Sequence, residues 1–225
     1  MTTKEAQEWL CLHGYLVKVD GIMGPATKAA LRLYQHANWL DATGDVNEQT
    51  ADFLCAPLTQ AVNLGGMKAK SFGEAVWSVA EHYLSFHPRE VGGQNMGPWV
   101  RHFMRGNEGP AWPWCCGCVS TILKQAATVC GENPFKYTAS CDNLAQQAKN
   151  KGLLIPCENR AGLGQYSIFL IRGKAPGDWT HTGVARFDLD HYSTIEGNSN
   201  DEGSREGHEM CARTRAYRNV DFIRI

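Results

Sequence analysis

The sequence predicts an α+β fold in two units, because helical and strand-like patterns occupy different parts of the chain. Apolar residues recur at helical spacing through the first two thirds, whereas strand-like segments dominate beyond Gly164. Helices followed by antiparallel strands are typical of the α+β class. A segment with a Gly pair and no clear period separates a small helical unit from a larger one. We therefore expect a three-helix domain over residues 1–56, a linker over 57–71 and an α+β domain over 72–225.

The composition is that of a chain with a packed core, since 43% of the 225 residues are hydrophobic and 20% are charged. A formal net charge of -1 gives no basic surplus, so nucleic acid is not an expected partner. No apolar run approaches the roughly 18 to 20 residues of a membrane span, so we expect no membrane insertion. The N-terminus lacks an apolar signal-peptide core. We expect a monomer that is made in the cytoplasm without a signal peptide.

Start and stop signals bound the predicted elements. Gly14 ends a helix over residues 4–13, and Pro25 suits the first position of a second helix. Ser71, with Glu74 three residues further on, predicts a capped helix at the start of the second unit. Other helices are predicted near residues 47–54, from 98, from 115 and over 140–151. Strands are predicted over residues 167–171, 182–187, 192–196, 210–217 and 220–225, and the second and third of these form a hairpin.

The turn between the first two helices has the sequence Asp-Gly-Ile-Met-Gly-Pro-Ala-Thr at residues 20–27. Gly14-Tyr15 precedes it and Tyr34-Gln35 closes the following helix. With these flanks, residues 3–56 resemble the peptidoglycan-binding domain type one, a three-helix module of cell-wall enzymes. The resemblance implies that bacterial peptidoglycan is the partner of this unit.

A cysteine-rich stretch, Trp-Pro-Trp-Cys-Cys-Gly-Cys-Val-Ser at residues 112–120, stands at the predicted start of a helix. Unpaired N–H groups and the helix dipole favour a negative charge at that position, and the thiolate is the nucleophilic form of cysteine. We therefore expect Cys115 to be a nucleophile. The nine cysteines are odd in number and irregularly spaced, so most are expected to be reduced.

A thiol nucleophile needs a base within hydrogen-bond reach and a third group that orients the base. Among eight histidines, His181 differs because it starts a predicted strand after a loop. The hairpin places residue 196 on the neighbouring strand, which brings Glu196 or Asn198 beside the ring of His181. The sequence therefore predicts a Cys-His-acid site from one helix start and two adjacent strands.

Residues 72–225 also resemble the CHAP domain (cysteine, histidine-dependent amidohydrolase/peptidase), which has a papain-like fold. The matching segments are Asn-Met-Gly-Pro at residues 95–98, Trp-Pro-Trp-Cys at 112–115, His-Thr-Gly-Val-Ala at 181–185 and Glu-Gly-Asn at 196–198. The resemblance implies cleavage of an amide bond of peptidoglycan, as an N-acetylmuramoyl-L-alanine amidase or an endopeptidase. It assigns Cys115 as nucleophile, His181 as general base and then acid, and Glu196 as orienting carboxylate, with Asn198 as helper or alternative third member.

The two resemblances together imply an endolysin-like protein that reaches the wall after holin-type release, or by injection if it is a secreted antibacterial effector. No cofactor and no metal are expected, because residues 105–111 lack an Asp-rich calcium loop. Trp112, Trp114 and Trp179 are expected either to wall a substrate groove or to pack in the core.

Three other interpretations stay open. Trp-Cys-x-x-Cys at residues 114–118 is also the thioredoxin-type redox pattern, although a Gly/Pro-rich segment precedes it rather than a strand. A zinc site from Cys115, Cys118 and later cysteines lacks a second pair at ligand spacing. A wall-binding protein with an inert second domain is the non-enzyme alternative.

Overall fold

The computed structural model describes residues 1–131, 133–188, 191–200 and 207–225. Within these ranges the chain forms helices in its first two thirds and one antiparallel sheet near its end, which confirms the α+β class. The helices are α1 (Thr3–Leu12), α2 (Pro25–Ala37), α3 (Glu48–Val62), α4 (Phe72–Leu84), α5 (Pro98–Phe103), α6 (Cys115–Val129) and α7 (Cys141–Asn150). The strands are β1 (Leu154–Pro156), β2 (Tyr166–Arg172), β3 (Trp179–Phe187), β4 (Tyr192–Ser199), β5 (Glu209–Arg215) and β6 (Val220–Arg224).

Two buried glutamines hold the loops of the N-terminal unit. The Gln7 side chain accepts from the N–H groups of Asp20 and Gly21 at 3.0 and 2.7 Å, and it donates to the Asp20 carboxylate at 2.9 Å. Gln35 accepts from the Gly44 N–H at 2.9 Å and donates to the Asp45 carbonyl at 2.8 Å. Each amide satisfies backbone groups that no helix or strand would pair. The Asp-Gly turn and the closing Gln of the motif therefore have a structural role.

The third helix is longer than its pattern indicates, because α3 continues to Val62 rather than ending near residue 54. Pro57 lies inside it and removes one helical hydrogen bond. Ala61, one turn later, is fully buried, and Leu58 packs against the same core. Burial of these apolar side chains offsets the lost bond. The helix thus occupies residues 57–62 of the expected linker.

The second unit begins as its cap predicts, since Ser71 accepts a hydrogen bond from the Glu74 N–H at 3.1 Å before α4 starts. The strand order of the sheet is β1-β6-β2-β3-β4-β5, with every neighbouring pair antiparallel. Ile168 and Leu170 belong to the main core, whereas Phe169 between them joins a second cluster with Tyr192. The turn of the β3–β4 hairpin includes residues 189–190, which lie outside the described residues. Among the residues that are described, no helix is long and apolar enough to cross a bilayer.

The two units share one continuous core and an ion-pair network. The Glu8 carboxylate is fully buried and meets the Arg101 guanidinium at 2.5 Å, while the same guanidinium contacts Glu108 at 2.6 Å. Lys4 reaches Glu108 at 3.0 Å. An edge-to-face contact between Trp9 and a Trp of α5, with ring centroids 6.1 Å apart, lies beside the network. The N-terminal helix is therefore fixed on the second unit.

Replacing Arg101 with leucine is expected to destabilise the protein by about 3 kcal/mol, because it removes the closer of two cations beside the buried Glu8 carboxylate and leaves Lys4, at 3.5 Å, as the remaining one. Urea unfolding followed by tryptophan fluorescence measures this loss. The double variant Glu8→Gln/Arg101→Leu removes the stranded charge and should recover part of the stability. Equal midpoints for wild type and Arg101→Leu would show that the ion pair contributes nothing.

Candidate active site

Cys115 is the first residue of α6, and its side chain is almost completely buried. Trp114 caps the helix, and its carbonyl accepts from the Cys118 N–H at 2.9 Å. Strand β4 passes close to this helix start at Gly197. A Cβ on Gly197 would lie 2.7 Å from the Trp114 ring and 2.8 Å from the Cys118 Cβ. Glycine therefore allows the strand that carries the acidic residue to approach the helix that carries the thiol.

His181 lies on β3 and joins the thiol to a carboxylate. Its Nε2 is 2.8 Å from Oε2 of Glu196, and its ring packs 5.9 Å from that of Phe169. Because Nε2 is engaged with Glu196, Nδ1 is the nitrogen left for Cys115. Burial works against the imidazolium, but hydrogen bonds with Cys115 and Glu196 outweigh it and raise the pKa of His181 to about 9.

Besides His181, the Cys115 thiol has a second thiol, that of Cys141, as a neighbour. A hydrogen bond with Cys141 and burial raise the pKa of Cys115, whereas His181 acts in the opposite direction. Cys141 is the first residue of α7, and it also contacts Cys116. These cysteines are buried and free. The thiol is thus held in its neutral form unless the histidine takes its proton.

Glu196 lies on β4 and is fully buried, with its charge compensated from several sides. Arg215 donates from Nε to Oε1 at 2.5 Å and from Nη2 to Oε2 at 2.6 Å. Hydroxyl donors, Thr194 at 2.5 Å and Ser199 at 3.2 Å, complete the shell with His181. Burial favours the neutral acid, yet the bonds from Arg215 and His181 hold the pKa of Glu196 well below its usual range. The carboxylate therefore stays ionised beside the imidazole.

Arg215 is a site residue that the sequence analysis missed. It lies on β5 and pairs in register with Tyr192 of β4, the strand that carries Glu196. Its sequence neighbourhood, Ala-Arg-Thr-Arg, reads as an ordinary solvated strand. The one available signal was the strand register, which places residue 215 within reach of β4 but does not identify its partner.

Asn198, the alternative third member, follows two residues after the carboxylate on β4, where the β4–β5 register shifts. It is buried and has a φ of 54°, which is uncommon for a residue with a side chain. Among the described residues, its Oδ1 accepts no hydrogen bond. Glu196, in contrast, contacts His181 directly. The carboxylate of Glu196 therefore makes the contact with the imidazole, and Asn198 follows it on the same strand.

The expected aromatic wall is divided between the surface and the core. Trp114 is fully buried, stacks on Phe103 with centroids 5.5 Å apart and donates to Glu90 at 2.9 Å. It therefore supports the helix start from within and does not line a groove, which corrects that alternative. Trp112 is 39% exposed, and Trp179 is half-buried with its indole N–H on Asp221 at 3.0 Å. These two tryptophans therefore keep part of their surface exposed to solvent.

The surroundings of Cys118 differ from those of a thioredoxin motif. A loop, not a buried strand, precedes α6, and the sheet follows later in the chain. Cys118 is buried, and burial raises its pKa, so it is held as a neutral thiol. In the described part of the chain, no three His, Cys, Asp or Glu side chains are grouped to hold a metal ion.

Comparison with known families identifies the N-terminal unit. Residues 2–54 match the family model described as "Putative peptidoglycan binding domain". Searches of curated proteins and of solved structures gave no match to the chain. The match covers α1, α2 and the first half of α3, which are the elements joined by Gln7 and Gln35. The chain therefore carries an N-terminal peptidoglycan-binding domain, and this domain supports peptidoglycan as its partner.

Proposed function

We propose that the protein is a peptidoglycan hydrolase whose α+β unit cleaves an amide bond of the wall by cysteine catalysis. The observation that carries this proposal is the continuous link from Cys115 through His181 to Glu196, with the ring 2.8 Å from the carboxylate. A helix-start thiol, a base and an orienting acid are the parts that nucleophilic catalysis requires. The N-terminal domain supports peptidoglycan as the partner of the protein, and we take peptidoglycan as the substrate on that ground.

In the proposed reaction, His181 takes the proton of the Cys115 thiol, and the thiolate attacks the scissile carbonyl carbon. Backbone N–H groups at the start of α6 stabilise the oxyanion. The C–N bond then breaks as the His181 imidazolium gives its proton to the leaving amine. A water molecule, deprotonated by His181, hydrolyses the thioester and releases the carboxylate product with the free thiol. Glu196 holds the ring and stabilises the imidazolium throughout.

The nature of the released fragments tests this function. The wild-type protein is incubated with purified peptidoglycan and the soluble products are identified by mass spectrometry. Free stem peptides indicate an amidase, whereas split cross-links indicate an endopeptidase. New reducing sugar ends without either product would contradict amide cleavage. Endolysins combine a wall-binding domain with a hydrolase domain. We therefore extend the proposal to an endolysin that reaches the wall after holin-type release.

The proposed activity is expected to rise with pH. The Cys115–His181 pair must lose one proton before the thiolate–imidazolium state forms, and the pKa of His181 is raised to about 9. Rates should therefore increase about tenfold per pH unit below that value and level off above it. Initial rates of fragment release, corrected for the amount of bound protein at each pH, give the profile. A rate that is constant across neutral pH would contradict the shift.

A further inference from the structure

Three cysteines meet at one place, because Cys141 at the start of α7 contacts two residues at the start of α6. Its side chain hydrogen-bonds with those of Cys115 and Cys116. All three side chains are buried, and all three are free thiols. The proposed reaction uses the sulfur of Cys115 and gives Cys141 no part. The nucleophile therefore has a second thiol beside it that the mechanism does not require.

Hydrogen bonds hold the chain on both sides of Cys141. Before it, the Thr138 N–H donates to Oγ of Ser120 at 3.1 Å, and the Ser120 hydroxyl donates to the Thr138 carbonyl at 2.7 Å. Ser120 belongs to α6. After it, the N–H of Trp179, the first residue of β3, donates to the Asp142 carboxylate at 2.7 Å. Cys141 is therefore confined between the helix that carries the nucleophile and the strand that carries its base.

The other two cysteines of α6 are less suited than Cys141 to bond with Cys115 while the helix is intact. Successive helical residues point about 100° apart, which directs Cys116 away from Cys115. Residues three apart have Cβ atoms about 5 to 6 Å apart, whereas a disulfide needs about 3.5 to 4.5 Å. Cys118, at this spacing, also packs against β4, where a Cβ on Gly197 would lie 2.8 Å from its own Cβ. Cys141 is on a separate helix and is not held to this spacing.

We propose that Cys115 and Cys141 form a disulfide when the protein meets a peroxide, and that this bond reversibly blocks the nucleophile. The modification itself requires only the two thiols and the histidine base. Its effect on activity rests on the proposed function, because the blocked sulfur is the one that would attack the scissile carbonyl. A thiol-specific reductant restores both thiols.

The oxidation has two steps that together consume one molecule of peroxide. The Cys115 thiolate, formed by proton transfer to His181, attacks one peroxide oxygen and becomes a sulfenic acid. The O–O bond breaks, and the other oxygen leaves as hydroxide, which takes the proton of the imidazolium and forms water. The sulfur of Cys141 then attacks the sulfenic sulfur, the S–O bond breaks, and hydroxide leaves with the Cys141 proton as a second water. The two thiols lose two electrons in all, and the peroxide gains them.

Peptide mapping of the full chain after treatment with hydrogen peroxide tests the bond directly. Remaining thiols are alkylated before digestion, so that disulfides do not exchange. Trypsin places the three cysteines of α6 on the peptide of residues 106–124 and Cys141 on the peptide of residues 137–149. We expect these two peptides to be joined in the wild type, and fragmentation of the joined pair to locate the bond at Cys115. Dithiothreitol should separate them.

Cys116→Ser is the matched control, because it removes the neighbouring thiol and should keep the joined peptides, whereas Cys115→Ala should lose them. Separate peptides in the treated wild type would overturn the proposal. So would a bond within residues 106–124 in place of the joined pair, which is the result expected of a Cys115–Cys118 redox pair. A joined pair that persists in Cys115→Ala would assign the bond to another sulfur and would overturn it equally.

Release of wall fragments tests the blocking effect, with each variant compared with its own untreated sample. Peroxide should lower the wild-type rate by at least about 10-fold, and dithiothreitol should restore it. In Cys141→Ser the sulfenic acid has no thiol partner and proceeds to sulfinic acid, so the loss should remain after dithiothreitol. Full recovery of this variant would contradict the role of Cys141. A protein that forms the bond but releases no fragments when reduced would refute the proposed function and leave the modification site standing.

Discussion

Replacing Cys115 with alanine is expected to lower the release of wall fragments by at least about 1,000-fold, because the thioester of the proposed reaction forms on the sulfur that the substitution removes. The side chain is buried at the start of α6, and alanine keeps the helix and its cap. The variant should therefore fold and bind purified peptidoglycan as the wild type does. Turbidity loss and product analysis measure the activity, and co-sedimentation measures the binding.

The matched control is Cys118→Ser, one helical turn further on. A hydrolase keeps most of its activity in this variant, since Cys118 has no part in the proposed reaction. A thiol-disulfide oxidoreductase would lose its activity in both variants. Equal clearing of the wall by wild type and Cys115→Ala would remove Cys115 from the mechanism.

Replacing Arg215 with methionine is expected to destabilise the protein by about 3 to 5 kcal/mol, because the Glu196 carboxylate stays buried without its main counter-charge. The two bonds from the guanidinium, at 2.5 and 2.6 Å, have no substitute in methionine. Loss of a positive charge near His181 also favours the imidazolium. The rising limb of the pH–rate profile should therefore move to higher pH.

Two comparisons separate the catalytic effect of Arg215 from its structural one. Arg213→Met, on the same strand, removes contacts to Ser199 and the Asn200 carbonyl and should cost less stability. Arg215→Met/Glu196→Gln removes the stranded charge and should recover stability without recovering activity. An Arg215→Met protein with the stability and pH profile of the wild type would show that the guanidinium does not tune the site.

The sequence was sufficient to predict those features of the fold that depend on residues close together in the chain. Pro25 starts α2, Ser71 caps α4 and Cys115 starts α6, as their positions predict. The pairing of β3 with β4 also follows from short-range alternation, since the two strands are adjacent in the chain and in the sheet, and the side chains of His181 and Glu196 meet across them. In each of these cases, backbone hydrogen bonding and sequence proximity determine the outcome.

Tertiary packing decided the features that the sequence did not indicate. The extension of α3 past Pro57 depends on burial of Ala61 in a core shared with other helices. Strand β1 has three residues, too few for a pattern, and exists because β6 pairs with it. The role of Arg215 depends on a strand that returns after residues 201–206, which lie outside the described part of the chain. No local pattern contains these contacts.

If the protein is the wall hydrolase that we propose, the buried pair between Glu8 and Arg101 has a consequence for how the enzyme moves along its substrate. A hydrolase on a flexible tether searches every bond within the radius of its linker. Here the shared core and the ion pair fix the binding domain on the proposed catalytic unit. Each binding event would therefore place Cys115 at one distance from the bound position along the strand. To reach the next bond, the protein would have to dissociate and bind again. Under the proposed function, the repeat length of the glycan would therefore set the spacing between cleaved bonds.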